Sequence, residues 1–182
     1  MKVALRTEGP HRAARLSAYR AAHVRHMSGL SHFVGTDTLE WTSLRAAGSG
    51  VPLLVLAGKI ACLGGIVIEV NKTLAVFSEG QVENPFVQTE RYAYNAWVRG
   101  HRPFLRYDNT HRYRGHADDH HRHDMDWRTG RGTVSHVGEA AWPSLAVMIS
   151  EVEAWHADNH GALPHPAWEL TSLEGLRAGA GG

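Results

Sequence analysis

A long β-type pattern in the middle of the chain constrains its fold most strongly. Residues 51–60 form an apolar run, and residues 66–70 continue it after a Gly-Gly pair with many β-branched side chains. Such side chains suit the pleated surface of a sheet. In residues 91–98 tyrosine, alanine and valine recur at every second position, which predicts a strand with two different faces. Residues 99–101 then predict a hairpin turn, and residues 104–107 predict the returning strand.

The C-terminal third predicts one more strand and then a helix. Residues 133–137 have the composition of a short strand, and Pro143 fits the first turn of a helix, where its missing N–H costs nothing. An apolar stripe follows at spacings of three and four, formed by Leu145, Met148, Ile149, Val152 and Trp155. Strands followed by one helix predict an α+β fold, with a small, mostly antiparallel sheet packed by one long C-terminal helix.

The first 48 residues differ from the rest of the chain. Arginines and histidines alternate there with alanines, without a clean apolar stripe to dock a helix on a core. We predict a peripheral extension over residues 1–48, either a loose helix or a disordered basic arm, with Met27 or a later position as an alternative start. An arm that contacts nucleic acid is a further reading. An α+β domain over residues 49–160 and an irregular tail over residues 161–182 complete the predicted organisation.

Composition narrows the class of protein. A length of 182 residues predicts one domain, or one domain with an extension. The formal net charge of +1 gives no overall attraction to nucleic acid. The single cysteine, Cys62, excludes an internal disulfide framework and favours a small buried residue in a reducing compartment. No apolar run reaches the roughly 18 residues that span a bilayer, and no secretory signal is evident, so we expect a soluble cytoplasmic protein.

A histidine-rich segment after the predicted strands indicates a functional site. Residues 107–111 read Tyr-Asp-Asn-Thr-His, and residues 120–123 read His-His-Arg-His. Between Asn109 and Trp127 almost no side chain is core-forming, whereas histidines and aspartates are dense. A segment so poor in buriable carbon is a surface loop or a site, and clustered imidazoles favour a site.

Arginine dominates the positive charge around these histidines. Residues 99–131 contain eight arginines and no lysine. A planar guanidinium favours bidentate recognition of phosphate or carboxylate. The Asp108-Asn109 pair falls where a predicted strand ends, on a rigid rim that often carries catalytic groups, although such a pair also forms turns through its own side-chain hydrogen bonds.

From Lys59 to about Ala157 the chain resembles the TumE-like family, the toxin components of toxin–antitoxin pairs. The resemblance is carried by Tyr92-Ala93-Tyr94-Asn95-Ala96, Arg106-Tyr107-Asp108-Asn109, His120-His121-Arg122-His123 and the helix that begins near Trp142-Pro143. The stretch Asp126-Trp127-Arg128-Thr129-Gly130 is similar to a subgroup signature. The resemblance implies a toxin that a helix-turn-helix antitoxin neutralises. It does not imply a particular reaction.

The residues themselves favour cleavage of RNA without a metal or another cofactor. This reaction needs a base for the 2′-hydroxyl, an acid for the leaving 5′-oxygen and a cation for the phosphorane. In an extended segment His121 and His123 project to the same face, and in a helix His120 and His123 would. Asp108 is suited to orienting a histidine. The predicted catalytic residues are His121, His123, Asp108, Arg106 and Arg122, and the predicted substrate-binding residues are Asn109, His111, His120 and Arg128.

Two other function classes stay open. Histidines with nearby carboxylates are also typical of a site for Zn²⁺ or another divalent ion, although the interleaved arginines oppose a cation. Its candidate ligands are His111, His120, His121 and His123. The other class is a non-enzymatic module that binds nucleic acid or a partner protein. Tyr92, Tyr94 and Trp97 would stack on bases if they faced outward, but tyrosines at strand spacing are more often core residues.

Overall fold

The computed structural model describes residues 12–45, 51–77, 83–110, 120–138 and 141–164, and an antiparallel sheet dominates them. Within these ranges the chain forms nine strands and two α-helices. In chain order they are β1 Ala14–Arg15, α1 Leu16–Gly29, β2 Val34–Asp37, β3 Glu40–Arg45, β4 Pro52–Cys62, β5 Ile66–Phe77, β6 Phe86–Val98, β7 Pro103–Asp108, β8 His121–Met125, β9 Gly132–His136 and α2 Leu145–Asn159.

The sheet is a meander with additions at one edge and along one strand. Strands β4 to β9 pair in chain order, each antiparallel to the next. At the β4 edge, β2 pairs with the end of β4 and β3 pairs with its beginning. The two-residue β1 pairs with the start of β6. Short connections join β4 to β5, β6 to β7 and β8 to β9, as antiparallel pairing allows.

The core lies between one face of the sheet and α2. Met148, Ile149 and Val152 of α2 are fully buried in the same cluster as Tyr92 and Tyr94. The predicted apolar stripe is thus confirmed, and so is the assignment of both tyrosines to the core. Cys62 is buried as predicted, and burial raises the pKa of its thiol.

The start of α2 differs slightly from the prediction. Ser144 is the N-cap, and its hydroxyl accepts a hydrogen bond from the Val147 amide at 3.2 Å. Pro143 therefore precedes the cap instead of lying in the first turn. A serine cap satisfies one of the free amides at the start of a helix.

No helix among the described residues has the length and apolar character that a membrane span requires.

The predicted α+β fold class, with a small sheet packed by one long C-terminal helix, is wrong. The sheet is large, α2 has only 15 residues, and the N-terminal region supplies α1, β2 and β3 instead of a peripheral extension. The short, polar segments of β2 and β3 carry little strand signal by themselves. They become strands because the long apolar β4 presents free amide and carbonyl groups along its edge, and tertiary context overrides local propensity.

Candidate active site

Polar side chains form two neighbouring rows on the sheet face that α2 does not cover. Directly paired residues of adjacent strands project from the same face. One row runs across β4 to β8 through Lys59, Glu69, Asn95, Arg106 and His123. The next row ends in Asp108, His121 and His136. We call the surface formed by these two rows the polar face.

Asp108 is the centre of a hydrogen-bonded group on this face. Its Oδ2 accepts a hydrogen bond from Arg106 Nε at 2.8 Å, and the same oxygen lies 3.5 Å from His123 Nε2. Its Oδ1 accepts from the Thr110 amide at 3.1 Å and from the Thr110 hydroxyl at 2.7 Å. The Asp108 side chain is only 1% exposed. Both carboxylate oxygens are therefore engaged, as a buried charge requires.

The pKa values of Asp108 and His123 are both shifted downward. Burial works against ionisation of Asp108, but hydrogen bonds from Thr110 and Arg106 outweigh it and lower its pKa. For His123, burial lowers the pKa, and Arg106 and His121 lower it further against the opposing attraction of Asp108. At neutral pH the arrangement is thus a carboxylate beside a neutral imidazole.

His121 and His123 lie on the same face, as the extended geometry predicts, but they differ in accessibility. Their ring centroids are 6.4 Å apart. His121 is 1% exposed, whereas the His123 side chain is 21% exposed and that of Arg106 is 36% exposed. On its other side His121 contacts the exposed ring of His136, with centroids 4.6 Å apart. Solvent therefore reaches His123 and Arg106, but hardly reaches His121.

A groove of about 650 Å³ continues the polar face from Arg106 toward β4. Its lining includes Thr38, Lys59, Glu69, Asn71, Asn95 and Arg106. The Oδ1 atom of Asn95 is buried and accepts no hydrogen bond within the described ranges. A buried carbonyl oxygen without a partner costs about 1–3 kcal/mol of stability.

Gly58 shapes one end of the groove. Its backbone has φ +148°, and an added Cβ would lie 2.4 Å from the Thr38 carbonyl oxygen. The link between β2 and β3 crosses directly over this position, where the Thr38 amide donates to the Lys59 carbonyl at 2.9 Å. Only glycine permits this close approach of two backbones.

Two predicted site residues lie on the opposite face. Arg122 donates to Asp124 and to Glu151 of α2, at 2.8 and 2.7 Å, and contacts the Tyr107 hydroxyl. His120 is buried, with its Nδ1 atom 3.1 Å from the hydroxyl of Tyr92. Neither residue joins Asp108 and His123, because the side chains of adjacent strand residues alternate between faces.

Asn109 and Arg128, two other predicted substrate-binding residues, do not lie on the polar face. Asn109 accepts from the Tyr92 amide at 2.8 Å and donates to the Glu90 carbonyl at 3.0 Å, so its amide extends the pairing between β7 and β6. Arg128 is exposed in the β8–β9 turn, with its guanidinium carbon 4.6 Å from the Trp127 ring centroid. His111 lies outside the described residues.

The alternative metal ligands that the structure describes are divided between the two faces of the sheet. His120 is on the helix-covered face, His121 and His123 are on the polar face, and His111 lies outside the described ranges. In the part of the chain that the structure describes, no group of three or more histidine, cysteine, aspartate or glutamate residues is arranged to hold a metal ion. The four-histidine set therefore does not fit a single divalent ion.

Several residues of the polar face were not predicted from the sequence. Lys59, Glu69 and Asn95 lie in strands that the sequence shows clearly, but their alignment depends on register. His136 lies in a strand that was predicted without a role for this residue. The sequence pattern that points to these residues is the alternation within each strand. It places the polar residues of a strand on one face but does not say which strands are neighbours.

Comparison with protein-family models, with curated proteins and with solved structures finds no match to this chain.

Proposed function

We propose that this chain is the toxin-like component of a toxin–antitoxin pair and cleaves RNA without a metal. The observation that carries the proposal is the group formed by Arg106, Asp108 and His123 on the polar face, at the end of a groove. It combines a neutral imidazole, a buried carboxylate and a partly exposed guanidinium. These are a proton acceptor, the group that orients it and a cation for a phosphate.

His123 serves as the general base in this proposal. The ionised carboxylate of Asp108 favours the tautomer with hydrogen on Nε2, which leaves the Nδ1 lone pair for the 2′-hydroxyl proton. The 2′-oxygen then attacks the phosphorus, and the 5′-oxygen leaves with a proton from water. General base catalysis of this kind contributes roughly 10²–10⁴-fold.

Arg106 binds the phosphate in this scheme. Its Nε holds Asp108, and its two terminal nitrogens have no hydrogen bond to other described residues. Bidentate donation to the non-bridging oxygens would stabilise the charge that develops on the phosphorane. His121, predicted as the second proton-transfer group, is here a positioning residue, because its ring packs behind His123 and does not reach solvent.

The groove beside Arg106 supplies the binding surface for the RNA strand. Trp97 lies on the same sheet face as Arg106, with Lys59 Nζ 5.9 Å from its ring centroid. Single-stranded RNA is recognised mostly through exposed base edges and aromatic surfaces. The proposed partner is a helix-turn-helix antitoxin, which the family resemblance implies, and the proposed location is the cytoplasm, which the sequence composition favours.

Cleavage of a labelled single-stranded RNA by the purified protein in EDTA tests the proposal. We expect wild-type protein to cleave, and His123→Ala to lose roughly 10²–10⁴-fold in rate. His160→Ala is the matched control, because His160 is an exposed histidine after α2 and away from the polar face. Cleavage by His123→Ala at the wild-type rate, or by wild type only when a divalent ion is added, contradicts the proposal.

A binding-only module is the second candidate, and the burial of His121, which leaves one accessible histidine of the predicted catalytic pair, favours it. In that case the groove would hold RNA or a partner protein without chemistry. Expression without an antitoxin distinguishes the two. Growth inhibition that survives His123→Ala, with folded protein in the cells, indicates binding; growth inhibition that disappears indicates catalysis.

A further inference from the structure

A second cavity lies on the other side of the sheet, between α1 and the start of α2. Its volume is about 470 Å³, within the range of about 300–1,000 Å³ typical of small-molecule sites. Leu56, Lys72 and Val87 of the sheet line one side, and Tyr19, Met27 and Leu145 of the helices line another. We call it the helix cavity. Most of its lining is apolar, which suits a ligand with a hydrocarbon body.

Lys72 is the unusual residue of the helix cavity. It projects from β5 in the row formed with Leu56 and Tyr92, and only 8% of it is exposed. Its ammonium lies 5.2 Å from the centroid of the Tyr19 ring and interacts with the hydroxyls of Tyr19 and Tyr94. No described carboxylate forms an ion pair with it. Lysine is almost never this buried without a paired charge.

Lys72 keeps its charge in this setting. Burial works against the ammonium, but the two tyrosine hydroxyls outweigh it, and the pKa of Lys72 is raised above its ordinary value. The remaining ionisable lining residues are basic or phenolic. Arg12, His23 and His26 lie along α1 and just before it, and no aspartate or glutamate is among the described lining residues. The helix cavity is therefore mostly apolar, and any charge on its described lining residues is positive.

We propose that the helix cavity binds a small molecule with an apolar body and a single carboxylate. The carboxylate would pair with the Lys72 ammonium, supplying the partner that a buried cation requires. The hydrocarbon body would lie against Leu56, Val87 and Leu145. The site is on the face opposite His123, so this proposal does not depend on the one for RNA cleavage.

Calorimetric titration of the purified full-length protein with sodium decanoate and with 1-decanol tests the site. Both probes have the same apolar chain, and only decanoate carries the carboxylate. We expect wild-type protein to bind decanoate roughly tenfold or more tightly than 1-decanol, because hydrogen bonds to charged groups contribute more than neutral ones. Equal binding of the two probes, or no binding of decanoate, overturns the proposal even without a variant.

Variants then assign the binding to Lys72 and to this cavity. Lys72→Met keeps the length of the side chain and removes its charge, so we expect decanoate to bind roughly 10–100-fold more weakly while 1-decanol binding persists. Ala22→Phe, which fills the cavity from α1, should weaken both probes. Lys59→Met, at a lysine on the polar face, and His123→Ala should leave both unchanged. A wild-type decanoate affinity in Lys72→Met contradicts the assignment.

Discussion

His123 Nε2 lies 3.5 Å from Asp108 Oδ2, across the pairing of β7 with β8. This contact depends on the register that places Arg106 opposite His123 and Asp108 opposite His121. Arg106 and Asp108 are two residues apart on one strand, and so are His121 and His123 on the next. One register therefore brings four side chains from two strands to a single patch of the polar face.

Replacing Asp108 with asparagine should lower RNA cleavage roughly 10–100-fold. The neutral amide keeps the shape of the carboxylate but no longer favours the Nε2-protonated tautomer of His123. The rate constant under saturating RNA is the quantity to measure. Asp124→Asn is the matched control, because Asp124 pairs with Arg122 on the opposite face and is half exposed. Equal losses in the two variants would contradict the role of Asp108.

Substitution of Arg106 should impair RNA binding and cleavage, whereas substitution of Arg122 should impair stability alone. Arg106→Met removes the proposed phosphate contact and should weaken RNA binding and cleavage at least tenfold. Arg122→Met removes the contacts to Glu151 and Asp124, so it should lower the free energy of unfolding by about 1 kcal/mol and leave cleavage per folded molecule unchanged. RNA gel-shift titration and urea denaturation measure the two quantities. A cleavage defect confined to Arg122→Met would reverse the assignment.

The contrast between these two arginines shows what could be predicted from the sequence. Alternation along a strand correctly predicts that His121 and His123 share one face of the sheet. The same alternation places Arg122, the residue between them in sequence, on the opposite face. The sequence does not say which face of the sheet is covered, because the docking of α2 depends on contacts with the whole core, including β6 and β7. The sequence does not give the register between strands either, and the row from Lys59 to Arg106 depends on the observed pairing of β4 to β7.

Asn109 should prove structural. Its side chain makes two hydrogen bonds to the backbone of β6, so Asn109→Ala should lower the free energy of unfolding by about 1–3 kcal/mol. Asn109→Asp keeps the acceptor for the Tyr92 amide but places a carboxylate oxygen against the Glu90 carbonyl oxygen and a second negative charge beside Asp108, so its cost should be at least as large. Urea denaturation measures both. A variant that keeps full stability but loses RNA binding would instead indicate that Asn109 contacts the substrate.

The stability of the protein should fall as the pH drops below about 6.5, the ordinary histidine value. The pKa of His123 is lowered on folding, so in this range the unfolded chain binds more protons than the folded one, and protonation favours unfolding. His23 and His156 are shifted in the same direction by burial. The unfolding free energy measured from pH 7.5 to 5 should thus decline less steeply in His123→Gln than in wild type. Identical slopes would contradict the shift at His123.

Gly58 should tolerate substitution far less than Gly100, although both have positive φ. At Gly100 an added Cβ meets nothing within 4 Å, so Gly100→Ala should cost only the conformational penalty of about 1–2 kcal/mol. At Gly58 the Cβ would also overlap the Thr38 carbonyl, so Gly58→Ala should cost about 3 kcal/mol and displace the link between β2 and β3 from the groove. Denaturation midpoints give the difference in stability. Because the displaced link lines the groove, RNA affinity should fall in Gly58→Ala and stay constant in Gly100→Ala; unchanged affinity in both would place the RNA elsewhere.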